Sequence, residues 1–222
     1  MSCCMQPALS QAMSKLFAVS DIHGYGHLLE YLLNLAGYNP QTDRLFLLGD
    51  YVNKGPDSVG TLDLVHKLCI DGAVALQGNN ERKWLNQVPS KTDEHKSVST
   101  YYQELIAGMP LWADYERFLF VHAGLRPDIS LEEQTPEDLT EIRDPFFKAP
   151  GLPGKTVVFG HTSTYRFGLQ PDHLWFGDGK LGIDTGAGHG YFLSLVELTE
   201  GWQWSVSVLP PYNVGLTRFV LE

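Results

Sequence analysis

The chain has little cysteine: Cys3, Cys4 and Cys69 are all it carries in 222 residues. An odd count with two adjacent members makes no disulfide framework, and a reducing cytoplasm is the expected setting. No apolar run reaches the length that crosses a bilayer. The first fourteen residues lack the basic start and apolar core of a signal peptide; they are expected to form a loose tail, with 15–222 as a single domain. Positive charge is also scarce, with 16 Lys and Arg against 26 Asp and Glu, a formal net charge of −10. That balance argues against general nucleic-acid binding, which needs a basic footprint. It leaves room for a phosphate substrate, because bound divalent metals reverse a local field. Repeats, low-complexity runs and linker-like stretches are missing as well, so nothing divides the chain. What remains, 43% apolar and 19% charged residues, is the composition of a globular domain.

The first eighty residues alternate between two periods. Lys15–Ser20 is a short apolar strand, His27–Ala36 an apolar-faced helix stopped by Gly37 and Pro40, and Leu45–Leu48 a second strand that ends at Gly49-Asp50. Val59–Ile70 carries the next helix and Ala73–Gln77 the third strand, ending in Gly78-Asn79-Asn80-Glu81. Strand–helix–strand–helix–strand implies a parallel sheet with right-handed crossovers. Asp21, Asp50 and Asn79 recur at equal steps of 29 residues, so they should lie side by side at three strand ends. Residues 81–116 read as helical and irregular, and their aromatics as packing. Arg117–Val121 and Thr156–Phe159 are further strands, ending in His122-Ala123-Gly124 and Gly160-His161-Thr162. The acidic 128–144 segment reads as a loop with a short helix. Four alternating segments near 173–177, 180–184, 191–198 and 202–209 follow, with Gly177-Asp178-Gly179 as a hairpin signal.

Five strand ends thus supply Asp21 and His23, Asp50, Asn79, His122 and His161. Mixed imidazole, carboxylate and amide donors suit Mn, Fe, Zn or Mg rather than thiolate-seeking ions. Two such ions held about 3.5–4 Å apart clamp the attacking and leaving oxygens of a phosphoryl transfer. Asp50, in the middle of the set, is the natural carboxylate to share.

These blocks resemble the phosphoprotein phosphatase family of calcineurin-like metallophosphoesterases, with its D-x-H-G, G-D-x-V-D-R-G, G-N-H-E, H-A-G and G-H-T motifs in order from Ser20 to Leu198. The resemblance implies an α/β sandwich of two mixed sheets flanked by helices. It also implies two divalent metal ions, manganese first and Fe, Zn or Mg as alternatives. One would be bound by Asp21, His23 and Asp50, the other by Asp50, Asn79, His122 and His161. Hydrolysis would follow from attack of a hydroxide held between the ions. Arg143 resembles the family arginine that grips the substrate phosphate, Lys54 stands where the family has another arginine, and Asp184-Thr185-Gly186 resembles a late structural block.

Two positions depart from the family in chemistry: Asn53 replaces an aspartate and Asn80 the histidine that protonates the leaving oxygen. An amide supplies no proton near neutral pH, and losing a general acid costs about 10²–10⁴-fold in rate. That loss falls hardest on serine alkoxides and least on phenolates and phosphate anions. Asn80 keeps the ability to hydrogen-bond a phosphate oxygen. The first expectation is a phosphomonoesterase acting on phosphorylated protein side chains or aryl phosphates. The alternatives are a pyrophosphohydrolase like the symmetrical diadenosine tetraphosphatases, which the Gly49-Asp50-Tyr51-Val52-Asn53-Lys54-Gly55-Pro56 block resembles, or a phosphate-binding pseudophosphatase. His189, flanked by Gly188 and Gly190, is a weaker candidate for a substitute acid; His27, His66 and His95 read as surface residues, and His173 starts a strand.

Overall fold

The computed structural model describes residues 14–86 and 93–221. Of the expected tail only Ser14 is described, and its hydroxyl donates to Thr42 O at 2.6 Å. The chain runs β1 (Leu16–Val19), α1 (Gly26–Ala36), β2 (Arg44–Leu47), α2 (Ser58–Ile70), β3 (Val74–Ala75), α3 (Asn79–Leu85), α4 (Asp93–Ala107), β4 (Trp112–Tyr115) and β5 (Phe118–Val121). It continues through α5 (Pro136–Glu141), α6 (Asp144–Lys148), β6 (Thr156–Phe159), β7 (Trp175–Gly177), β8 (Lys180–Gly182), β9 (Phe192–Glu197), β10 (Trp202–Ser207) and β11 (Val214–Arg218). Single 3₁₀ turns at Leu131–Glu133, Thr164–Phe167 and Ala187–His189 punctuate the loops.

One sheet has the order β11-β10-β9-β1-β2-β3 and the other β4-β5-β6-β8-β7. β1, β2 and β3 pair in parallel through α1 and α2, and β5, β6 and β8 pair in parallel in the second sheet. Antiparallel strands complete each sheet. The two mixed sheets of the expected fold are therefore present. Strand alternation divides the core into layers. Leu16, Ala18, Phe46, Phe120, Val158 and Leu181 fill the space between the sheets, where Phe46 and Phe120 stack with centroids 4.0 Å apart. Phe17, Val19, Leu45 and Leu47 point the other way, onto α1 and α2. Leu119, Val121, Val157 and Phe159 face α5 and α6. Because both faces of the parallel strands are buried, those strands read as unbroken apolar runs. α1 buries Leu28, Leu29, Leu32, Leu33 and Ala36, and Gly37 closes it in the left-handed conformation.

The structure corrects the boundaries in three places. Residues 81–116, expected to be helical and irregular, contain the helix α4 but also an edge strand, β4, whose partly polar Trp-Ala-Asp-Tyr gives no clean alternation. β11 was not expected, since four of its five residues are exposed and it is held by pairing to β10. Asn79 and Asn80 open α3 instead of ending the third strand, because Glu81 folds back to accept from Gly78 N at 3.0 Å. Among the described residues no helix is long and apolar enough to cross a membrane.

An apolar cavity of about 320 Å³, lined by Leu119, Leu125, Ile129, Leu131 and Phe146 among others, opens on the outer face of the second sheet; none of the predicted site residues lines it. The sheet-to-sheet contact makes a direct test of the architecture. Phe120→Ala, at a fully buried position, is expected to cost about 3–5 kcal/mol in denaturant unfolding. A cost under 1 kcal/mol would mean that the sheets do not pack through this ring.

Candidate metal centre

The parallel strands of both sheets end on the same side, and their terminal loops are laced together by backbone hydrogen bonds. Asp21 N donates to Gly49 O, His23 N to Asp50 O and Gly24 N to Tyr51 O at 2.7–3.0 Å; in the second sheet Gly160 N donates to His122 O at 2.8 Å. Bonds also cross between the sheets, among them His161 N to Asp21 Oδ2 at 2.8 Å and His122 Nδ1 with Leu48 O at 2.8 Å. Asp21, His23, Asp50, Asn79, His122 and His161 are thereby brought into one cluster. All but the half-buried His161 are buried.

The backbone reaches this geometry at a cost. Asp21, His23, Asp50, Asn53, Lys54 and His161 all have φ between 47° and 67°. Left-handed non-glycine residues are uncommon and cluster where the surroundings over-determine them. Here the restraint is visible. Glu81, fully buried, accepts from Asp50 N (2.7 Å), Tyr51 N (2.8 Å), Gly78 N (3.0 Å) and Val52 N (3.3 Å). Burial and the Asp50 charge push the Glu81 pKa up, to about 7, against His122 and the backbone donors. With both oxygens accepting N–H groups, the carboxylate is the form that fits. Gly78 and Gly160 are required by space: a Cβ on either would strike the Asp50 or the Ser20 and Asp21 side chains.

The donor atoms fall into two groups that share Asp50. Ligand atoms of Asp21, His23 and Asp50 lie within 4.8 Å of one another, as do those of Asp50, His122 and His161. His23 and His122 each point Nδ1 at a backbone carbonyl, Val52 O at 3.0 Å and Leu48 O at 2.8 Å, which leaves Nε2 as the lone pair facing the carboxylates. His23 Nε2 is 3.7 Å from Asp21 Oδ1 and 3.6 Å from Asp50 Oδ2; His122 Nε2 is 3.5 Å from Asp50 Oδ1. Asn79 Oδ1 sits 3.2 Å from His122 Nε2 and 3.1 Å from His161 Nδ1. Turning that amide would give its NH₂ to the same two nitrogens and to Asp50 Oδ2. In the first orientation Asn79 Oδ1, His122 Nε2 and the Asp50 carboxylate face one another as lone-pair atoms, the situation a cation resolves, while neutral His161 donates from Nδ1 to Asn79 Oδ1.

The electrostatics agree. Burial disfavours an ionised Asp21, yet the neighbouring His23 and His122 imidazoles and a hydrogen bond from Ser20 hold its pKa well below the usual carboxylate range. Burial also opposes charge on His23, but the Asp21 and Asp50 carboxylates beside it push its pKa up to about 9. A contact at hydrogen-bond distance pulls the other way, because Lys54 Nζ stands 3.0 Å from Nε2 and needs a lone pair there. The spacing favours the lone pair, with the Lys54 ammonium serving as the local cation. Burial, His122 and Arg143 hold His161 neutral, with its pKa lowered to about 3. Oxygen and imidazole donors without sulfur, two carboxylates, and cationic side chains drawn onto the ring nitrogens fit a pair of divalent ions.

Around this cluster stand the residues expected to meet substrate. Arg143 is exposed and donates from Nη2 (3.0 Å) and Nε (3.3 Å) to His161 Nε2. Lys54 is exposed at the opposite side, on His23. Asn80 donates from Nδ2 to Asp50 Oδ2 (2.5 Å) and from its backbone to Asp50 Oδ1 (2.9 Å), and its Oδ1 accepts from Asn53 Nδ2 (3.0 Å). Trp84 Nε1 closes the chain on Asn53 Oδ1 at 3.1 Å. Sequence reasoning gave no role to Glu81 or Trp84; Glu81 was in view inside the strand-end motif, but nothing local shows four backbone donors meeting on it. The aromatics of 84–112 serve packing in part: Tyr102 is buried and donates to Asp63, while Tyr101 is 43% exposed against His66. Asp184 accepts from Ser163 Oγ (2.7 Å) and Gly186 N (2.8 Å), holding the loop after β8. His27 and His173 are exposed, and the His95 side chain lies outside the described residues.

A family model described as calcineurin-like phosphoesterase matches residues 14–186. Curated relatives include the symmetrical bis(5'-nucleosyl)-tetraphosphatases of Aromatoleum aromaticum, 34% identical over 53% of this chain and 46% of that protein, and of Vibrio parahaemolyticus, 32% identical over 52% and 47%. The chain spans about half the length of the curated relatives it matches. A solved structure provisionally named a diadenosine tetraphosphatase superposes with a TM-score of 0.67 at 26% identity, covering 91% of this chain and 97% of that one. A serine/threonine phosphatase of Saccharomyces cerevisiae shares the fold, with a TM-score of 0.61 at 15% identity over 96% of this chain and 82% of its own.

Metal binding can be read without turnover. Mn²⁺ is expected to raise the melting temperature of the stripped protein by mass action, with about two ions retained per chain by emission spectroscopy. Asp50→Asn should lower retention to under about one ion, because both donor groups share that carboxylate. Equal retention in the variant would remove Asp50 from the shared position.

Proposed function

The chain belongs to the calcineurin-like phosphoesterase family, and from that premise we propose that it is a metal-dependent hydrolase of phosphoric anhydrides, with dinucleoside polyphosphates as the substrate class. The observation that carries this reading is the amide chain Trp84–Asn53–Asn80–Asp50. Asn80 stands where a proton donor is expected, and both ends of its amide are engaged in hydrogen bonds to Asn53 and Asp50. The leaving group must then depart as an anion. A phosphate terminus does so readily and a serine alkoxide does not. Phosphomonoesters of protein side chains, the first expectation from sequence, therefore give way to the alternative, and the names of the curated relatives support the same choice.

In this reading Asp21, His23 and Asp50 hold one divalent ion and Asp50, Asn79, His122 and His161 the other, with manganese the first choice. Bound ions supply Lewis acidity and positive charge to the phosphoryl oxygens. The chain's own residues do the rest. Arg143 offers a planar fork that pairs two phosphate oxygens, and Lys54 a point charge on the other side. When His161 presents Nδ1 as a lone pair, its proton moves to Nε2. Arg143 can no longer donate there and turns to the phosphate. Asn80 contributes an N–H to a phosphate oxygen without giving up a proton. Water adds at phosphorus and the anhydride P–O bond breaks. One tetraphosphate and one water give two nucleoside diphosphates if cleavage is symmetrical. Residues 15–222 act as one domain in this scheme.

With Mn²⁺ present, diadenosine tetraphosphate should turn over faster than a phosphoserine peptide, with an aryl phosphate between. Asn80→His should raise turnover of phosphoserine most, by about 10²-fold or more, because that leaving group most needs a proton. Equal gains on all three substrates would defeat the leaving-group argument.

A further inference from the structure

Beside the metal centre the late loops build an aromatic surface. Tyr165 lies four residues beyond His161, in the 3₁₀ turn Thr164–Phe167. Its ring is 5.1 Å from Tyr191 and 5.7 Å from His189, centroid to centroid, and Arg166 Cζ lies 5.8 Å from its centre. Tyr191 is 41% exposed and Leu209, beyond Gly190, 56% exposed; His189 and Arg166 are exposed too. Most of the other described aromatics are spent in packing, though Tyr101 against His66 and Phe176 against Phe219 are exposed too.

The surface is joined to the site by a glycine-rich bend. Gly186 and Gly190 flank the turn Ala187–His189 with φ of 86° and 81°. A Cβ on Gly186 would come 3.0 Å from Tyr191 Cδ2 and 3.5 Å from Tyr165 Cδ1, so both rings lean over that glycine. At Gly188 a Cβ would come 2.7 Å from His23 Nε2 and 2.8 Å from Lys54 Cδ. The backbone of this turn thus touches the metal-centre residue His23 and the phosphate-side Lys54, and within three residues reaches Tyr191.

Resting on the reading of the centre as an anhydride hydrolase, we propose that Tyr165 and Tyr191, with Arg166 beside them, form the shelf on which a nucleobase of the substrate stacks. The chemistry is specific to a nucleotide and foreign to a phosphoprotein. The exposed Tyr191 ring, tilted 59° to Tyr165 with the Arg166 guanidinium over the Tyr165 face, offers a base a π-face and a cation one loop away from a phosphate position. Stacking tolerates any base, so the shelf discriminates nucleotide from inorganic polyphosphate, and not adenine from guanine. Lys54 lies between shelf and centre, in reach of the phosphates that link the two.

The test separates base from phosphate. ADP and inorganic pyrophosphate are titrated calorimetrically into the Mn²⁺-loaded protein, and KM is measured for diadenosine tetraphosphate and inorganic tetraphosphate. Tyr191→Ala is expected to weaken ADP binding and raise the dinucleotide KM by about tenfold more than it affects the base-free compounds. Tyr191→Trp should restore the preference. Losses of equal size on nucleotide and base-free probes, or no loss on either, overturn the shelf. If neither anhydride is hydrolysed while a Tyr191-dependent preference for ADP persists, the shelf stands and the hydrolase reading falls. If the dinucleotide is hydrolysed with a KM ratio indifferent to both Tyr165→Ala and Tyr191→Ala, the hydrolase reading stands and the shelf falls.

Discussion

The buried carboxylate of Glu81 holds the turn on which the metal centre is assembled. Four backbone N–H groups after β2 and β3 have no partner in either sheet, and all four end on its two oxygens. Unmade hydrogen bonds in that dry setting would cost about 1–3 kcal/mol each. Meeting them on one side chain ties the end of β2 to the start of α3. It also permits the left-handed backbone of Asp50, which would otherwise be strained. Asp50 then accepts from Asn80 through both oxygens and lies against His23 and His122. The position of the shared carboxylate is therefore inherited from an acidic residue that points away from solvent and from substrate.

The second constraint is the seam between the sheets. Phe46 and Phe120 bring them into contact through the core, and His122 and His161 bond across the seam to Leu48 and to Asp21. Fold and site share these contacts. A loss of packing between the sheets would separate the two donor groups that meet at Asp50. The chemistry proposed for the centre follows from the same economy of parts: cations, carboxylates and rings are all present, and the position where the family has a proton donor holds Asn80. A site so equipped favours leaving groups that carry their own negative charge.

Much of this was legible in the chain before any coordinates. The β1–α1–β2–α2–β3 unit shows itself because each element keeps its own period and each strand stops at a motif of polar residues. His122 and His161 follow apolar runs in the same manner. β4 and β11 were not legible, being edge strands whose pairing depends on a neighbour far away in sequence. The helical start at Asn79 was hidden by the strand before it, and the contact between Arg143 and His161 by eighteen residues of loop, short helix and strand.

The sequence by itself determined the sheet grammar, the six residues proposed to hold metal, and the amide at Asn80, because these depend on residue type and on local spacing. Only the tertiary structure decided that Glu81 gathers four backbone donors and that Asn53 and Trp84 tie Asn80 in place. It likewise decided that Tyr165 and Tyr191 stand together over Gly186. Each of these is a meeting of groups from different loops, and a short-range pattern carries no record of which loops the fold brings side by side.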